Sequence, residues 1–176
     1  MPLPFYTIGH STRSIPEFIA LLRVGAVEVV IDIRTVPRSR TNPQYNADAL
    51  PLALAEFQID HHRIAALGGL RKRVHEVPPE TNGWWDNRSF HNYADYALSP
   101  EFTAGLAELV TLGRVRRTAI MCSEAVWWRC HRRIVADHLI AGGQTVFHLM
   151  GGLRAEPARL SAGAAMTDQG LIYPQP

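Results

Sequence analysis

Short apolar runs alternate along this chain with stretches of helical period. Phe5 to Ile8 is a β-prone run, and Val27 to Ile33 is nearly all apolar and β-branched, as a strand buried on both faces should be. Between them Phe18, Leu21 and Leu22 recur at helical spacing. Ser14 stands where an N-cap belongs, Pro16 falls in the first turn, and Glu17 completes a capping box. Gly25 ends that helix. Two successive units of strand, loop and helix imply a parallel sheet with right-handed crossovers.

The same reading extends down the chain. Asn46 is placed to cap a helix carrying Ala49, Leu50, Ala53, Leu54 and Phe57, provided Pro51 lies in its first turn. Ile59 to Ile64 reads as a weak third strand with His61 and His62. Residues 74–89 have no period, and their paired tryptophans, Trp84 and Trp85, predict a long ordered loop. Phe90 to Leu98 reads as a helix. Ser99 and Pro100 begin another, with Phe102, Leu106, Leu109 and Val110 inside. Thr118 to Met121 forms a strand ending at Cys122, and a helix from Arg129 to Ala141 stops at Gly142-Gly143. Thr145 to Met150 reads as the last strand. The expectation is a single α/β domain over residues 1–150, with a mainly parallel sheet of about five strands flanked by helices. Residues 151–176, rich in Gly, Ala and Pro, are expected to form a surface C-terminal tail.

Composition sharpens this only in places. A chain of 176 residues, 47% hydrophobic and 19% charged, is that of an ordinary globular domain. The formal charge of +2 is too small to argue for a nucleic-acid partner. Lysine occurs only at Lys72, so the positive charge is almost all arginine, which grips phosphate and carboxylate bidentately. The start, Met1-Pro-Leu-Pro, lacks the pattern of a secretory signal, and no apolar run has the length of a membrane span. Cys122 and Cys130 are therefore expected as free thiols in a cytoplasmic protein.

In a parallel sheet the loops following the strands gather at one edge. The first strand then delivers Gly9, His10 and Ser11. The second delivers Asp32, Arg34, Arg38 and Arg40. The third leads to Gly68, Gly69 and Arg71. The fourth delivers Cys122 and Glu124, with Cys130, His131 and Arg132 opening the next helix. Histidine titrates near neutrality, so His10 and His131 are candidate acid–base groups beside Glu124. Cys122 is a nucleophile if a helix terminus and arginines ionise it, and otherwise a small buried residue at a strand end. Its spacing to Arg129 is one residue longer than that of the phosphate-cradling loop of cysteine phosphatases. Asp32, inside an apolar run, needs a partner, and Arg34 on the same strand face is the natural one. Arg34, Arg38 and Arg40 read either as an anion clamp or as a solvated basic loop, and Arg132 is counted with them among the groups that would hold the anion. The four tryptophans could stack on a base, or simply pack. Cys122, Cys130 and His131 are donor types that zinc accepts. Structural zinc sites use closer cysteine pairs, so no metal is assigned.

Several of these pieces stand in a recognisable order. Tyr6-Thr-Ile-Gly9-His10-Ser11 comes first, then Asp32-Ile-Arg34-Thr-Val-Pro37-Arg38-Ser39-Arg40 and Leu67-Gly68-Gly69-Leu-Arg71. Phe90-His-Asn-Tyr93-Ala94 follows, and then Cys122-Ser-Glu124 with Cys130-His131-Arg132. In these the chain resembles the bacterial and archaeal family called domain of unknown function 488. The resemblance implies a compact α/β domain, adds Tyr93 to the site, and implies no established activity. Many relatives carry proline in the loop between the cysteines, where this chain has Trp127.

The reading is an enzyme of unassigned reaction. It would bind a phosphate-bearing anion, nucleotide or nucleic acid at the C-terminal edge of the sheet. A non-catalytic nucleic-acid-binding module and a metal or thiol-redox protein are the alternatives. No cofactor and no oligomeric state can be read from the residues, and no membrane partner is expected.

Overall fold

The computed structural model describes residues 1–176. Strand β1 (Phe5–Gly9) leads through α1 (Ile15–Val24) to β2 (Val29–Asp32), and α2 (Leu50–Ala55) leads to the short edge strand β3 (Asp60–Arg63). Helices α3 (Arg88–Tyr96) and α4 (Pro100–Val115) precede β4 (Thr118–Cys122). Helix α5 (Arg132–Ala141) then precedes β5 (Val146–Met150). The sheet has six strands in the order β3-β2-β4-β1-β5-β6, one more than expected. The first five are parallel, and β6 (Arg154–Pro157) pairs antiparallel with β5.

Alternation along the central strands serves both faces of the sheet. Val29 and Ile31 of β2 and Ile120 of β4 join one core cluster, with Phe102, Leu109, Ile134, Val135 and Leu139 of α4 and α5. Val30, Ala119 and Met121 turn the other way, onto Phe18, Leu21 and Leu22 of α1 and Leu50 and Leu54 of α2. Near-continuous apolar runs are what a parallel sheet covered on both faces requires.

The start of α1 follows the sequence closely. Ser14 Oγ accepts from the Glu17 N–H at 3.3 Å, and the Ser14 N–H donates to Glu17 Oε1 at 2.9 Å. Ser99 caps α4 with Pro100 in its first turn. Asn46 does something else. Ala49, not Asn46, precedes α2, and Pro51 indeed lies in the first turn. The Asn46 side-chain oxygen accepts from the Ser39 N–H at 2.7 Å, so it ties down the arginine loop.

Residues 151–176 were expected at the surface. Beyond β6, strands β7 (Ala165–Thr167) and β8 (Gly170–Ile172) form a hairpin, and Leu171 and Tyr173 enter the main core. The Tyr173 hydroxyl donates to Asp137 of α5 at 2.7 Å, and the other Asp137 oxygen accepts from the Ser161 N–H at 2.9 Å. No helix is long and apolar enough to cross a membrane.

Candidate functional site

Gly9 lies level with Cys122 across the β1–β4 pair, and Asp32 level with Met121 across β2–β4. The loops leaving β1 and β2 therefore flank the loop leaving β4, and a cleft of about 710 Å³ opens between them. His10, Ser11, Arg34, Arg38, Gly69, Cys122, Glu124, Cys130 and His131 line it. Gly9, Asp32, Arg40, Gly68, Arg71, Tyr93 and Arg132 do not. Thr35, Ser39, Asn42, Ser123, Phe90 and Arg129 line the cleft as well, and the sequence had not singled them out for the site. Arg129 left a signal in its spacing from Cys122, and Thr35, Ser39, Phe90 and Ser123 fall inside the motifs quoted above.

The two cysteines form the floor. Cys130 Sγ stands 3.4 Å from Nδ1 of His131 and accepts from the Arg132 N–H at 3.4 Å. Nε2 of His131 lies 2.8 Å from the Ile33 carbonyl, which only accepts, so Nε2 carries a proton. Nδ1 of the neutral ring is then a bare lone pair facing the thiol. Burial holds this imidazole below its ordinary value, so it is neutral near neutrality and able to take a proton. The order thiol, base, orienting carbonyl is that of an activated nucleophile.

Burial alone would raise both thiols, yet they diverge. At Cys130 the neighbouring Cys122 thiol, the Arg132 guanidinium and the Arg132 N–H outweigh burial and lower the pKa. At Cys122 burial and the neighbouring Cys130 sulfur both push the pKa well up. A maleimide probe is accordingly expected to modify Cys130 before Cys122. Cys122→Ser should destabilise the fold more than Cys130→Ser, as thermal melts of the two variants will show. Faster labelling of Cys122 would place the reactive thiol at the strand end instead.

Arg132 lies beneath this pair, wholly buried. Nη1 donates to Cys122 Sγ at 2.7 Å and to the Glu124 carbonyl at 2.6 Å, Nη2 to the Ala125 carbonyl at 3.2 Å, and Nε to Thr7 Oγ1 at 3.1 Å. None of these partners is a carboxylate. A buried cation without one favours negative charge on the neighbouring sulfurs. It also orients the loop. A trans peptide directs its N–H opposite to its C=O, so the Ala125 and Val126 amides point away from the guanidinium. They donate to no other group of the protein.

The expected anion clamp divides in two. Arg34 is spoken for: Nε and Nη2 grip both oxygens of Asp32 at 2.9 and 2.7 Å, and Nη2 also reaches the Tyr45 carbonyl at 2.7 Å. Burial would raise the Asp32 carboxyl, but His61 and Arg34 outweigh it and bring it to about 2. Arg38 and Arg129 are exposed at the cleft, and their guanidinium groups make no ion pair or hydrogen bond to the protein. They are the arginines able to close on a ligand.

His10 is held from every side. Its ring stacks on Tyr45 at 4.2 Å, Nδ1 donates to the Ser11 carbonyl at 2.9 Å, and Nε2 faces Arg34 Nη1 at 3.4 Å. Burial, opposed by the Ser11 carbonyl and aided by Arg34, lowers its pKa. It orients Arg34 and Ser11 rather than standing free. Ser11 itself has φ 48°, a left-handed conformation secured by its N–H bond to the Ser123 carbonyl at 3.0 Å.

The remaining expected residues build the walls. Arg71 donates to the Gly68 and Ala65 carbonyls and lies 3.8 Å over the Tyr96 ring. Tyr93, fully buried, donates to the Leu67 carbonyl at 2.8 Å and packs edge-on against His131. Gly68 packs against Thr35, and Gly69 makes room for the His131 ring, whose Nδ1 would lie 2.5 Å from an added Cβ. No three His, Cys, Asp or Glu side chains are grouped to hold a metal ion.

These features define an α/β sandwich with a thiol, imidazole and arginine cleft at the carboxyl ends of its parallel strands. The family described as Domain of unknown function DUF488 matches residues 14–139, and the chain belongs to it. Neither the curated proteins nor the solved structures contain a match to the chain.

Proposed function

We propose that the chain is an enzyme acting on a phosphate-bearing anion held in this cleft. The observation that carries the reading is the Cys130–His131 pair, with sulfur 3.4 Å from a bare imidazole nitrogen whose partner nitrogen is fixed by Ile33. His131 Nδ1 takes the Cys130 proton, the thiolate attacks phosphorus so that an S–P bond forms as the bond to the leaving oxygen breaks, and the Arg132 N–H at the start of α5 supports the thiolate. Arg38 and Arg129 hold the anion from two sides. The outward amides of Ala125 and Val126 supply further donors on the same loop. Glu124, exposed at the cleft, is placed to exchange a proton with a leaving group. His10 and Arg132 act through their neighbours. Cys122, assigned to catalysis from the sequence, here supports Cys130.

Inorganic phosphate should stabilise the protein by mass action. At tenfold its Kd it adds about 1.4 kcal/mol, which raises the Tm of a domain this size by about 3–6 °C. The double variant Arg38→Ala, Arg129→Ala should keep its fold and lose that rise. A wild-type Tm indifferent to phosphate at constant ionic strength would remove the anion from the reading.

A non-catalytic nucleic-acid module is the second reading, favoured by Trp128, 46% exposed beside Arg129. It calls for binding to single-stranded nucleic acid that weakens steeply with salt and ignores Cys130→Ser.

A further inference from the structure

We propose that Cys122 and Cys130 are a peroxide-oxidisable pair, in which Cys130 is oxidised first and Cys122 closes the disulfide. Three observations converge on it. The two thiols are near enough for each to shift the ionisation of the other, and both sulfurs accept a hydrogen bond from the same residue, Arg132, although the cysteines sit on different elements. Both sulfur-bearing residues border the same cleft, so a small oxidant reaches them where a large one does not. Arg132 sits under the pair without a carboxylate, donating to one sulfur through its side chain and to the other through its backbone. The anion reading uses Cys130 alone and leaves the second thiol without a chemical task.

The chemistry is closed. The Cys130 thiolate attacks the distal oxygen of a hydroperoxide. An S–O bond forms, the O–O bond breaks, and the sulfur is oxidised by two electrons to a sulfenic acid. The alkoxide or hydroxide that leaves is protonated by the proton Cys130 gave to His131. Cys122 Sγ then attacks Cys130 Sγ, the S–O bond breaks, and the departing hydroxide takes the Cys122 proton to become water. A small dithiol reverses the disulfide by exchange and is itself oxidised to its disulfide. The raised Cys122 pKa fits a group that reacts second and only at close range. While the disulfide stands, Cys130 is unavailable to any substrate, so the same pair would report oxidant and silence the cleft.

The test uses purified full-length chain, stoichiometric hydrogen peroxide, intact mass, and a carbon-acid probe that traps sulfenic acids. Wild type should become lighter by two hydrogens, lose both titratable thiols, and regain them with dithiothreitol. Cys122→Ser should stop at a trappable sulfenic acid on Cys130, and Cys122→Ala serves in its place if serine unfolds the strand. Cys130→Ser should leave Cys122 reduced. Wild type that passes to sulfinic acid at Cys130 with Cys122 still free would overturn the proposal, as would a probe adduct on Cys122. None of these readouts depends on phosphate binding, so this pair and the anion reading fail separately.

Discussion

Gly9→Ala is expected to cost about 3 kcal/mol or more, the range of severe overpacking against backbone. The reason is a carbonyl, not a ligand. A Cβ built on Gly9 would lie 1.6 Å from the Glu124 carbonyl oxygen and 2.7 Å from Arg132 Nη1. That carbonyl cannot simply swing aside, because it accepts from Arg132. Relief therefore means either lifting the loop after β4 or parting β1 from β4. Both routes disturb the amides of Ala125 and Val126 and the setting of Cys130. A melt should show the Tm down by about 6–12 °C, and rapid labelling of Cys130 should fade with it. Gly142→Ala is the control, since its Cβ would meet nothing closer than 3.4 Å. A Gly9→Ala protein with wild-type melting and labelling would mean that Glu124 does not cross over Gly9.

Gly9 also shows how far the sequence could be read. Its place at the carboxyl edge of β1 followed from period and topology, because both are properties of the chain taken in order. Its task did not, because the atom it accommodates comes from residue 124. The same division runs through the site. The capping box at Ser14, the Ser99-Pro100 helix start and the strand ending at Cys122 are local patterns and were legible. Asp32–Arg34 was legible too, being two residues apart on one strand face. What that pairing implies for the clamp was harder to see: an arginine locked by its own aspartate has little left for a ligand, whereas Arg129 has everything. Cys130 was distinguished from Cys122 by its helix-start position and neighbouring arginines. Its contact with His131 Nδ1 depends on Ile33, a hundred residues upstream in round terms. Strands β6, β7 and β8 span only three or four residues each, too short to show a period in a Gly-, Ala- and Pro-rich segment.

Stability should fall steadily as pH drops below about 6.5, the value histidine has in an unfolded chain. His148 is held down to about 3 by burial and by Arg132 and Arg133, and His138 to about 4 by burial. The sign follows directly. Between the unfolded and native values the unfolded chain binds more protons, so stability rises with pH and is lost on acidification. The loss begins near pH 6.5 and is complete only below the native values of about 3 and 4. Asp32 adds to it at the bottom of the range, because its native pKa of about 2 lies under the unfolded carboxylate value. Asp95 and Asp137 act the other way, since burial raises both. His148 is tied to the site, hydrogen-bonded with Thr7 Oγ1 at 2.6 Å and stacking on Trp127 at 4.7 Å. His138 is the cleaner probe. Its Nε2 has no partner, and its ring rests on Phe102 at 4.8 Å, so an apolar replacement leaves no group stranded. The share His138 contributes to the acid loss is about 3 kcal/mol. Denaturant titrations of wild type and His138→Leu at neutral pH and near pH 4 will measure it. The variant should match or exceed wild type at neutrality and lose distinctly less on acidification. Equal losses in the two proteins would mean that His138 is protonated in the native state and that solvent reaches it.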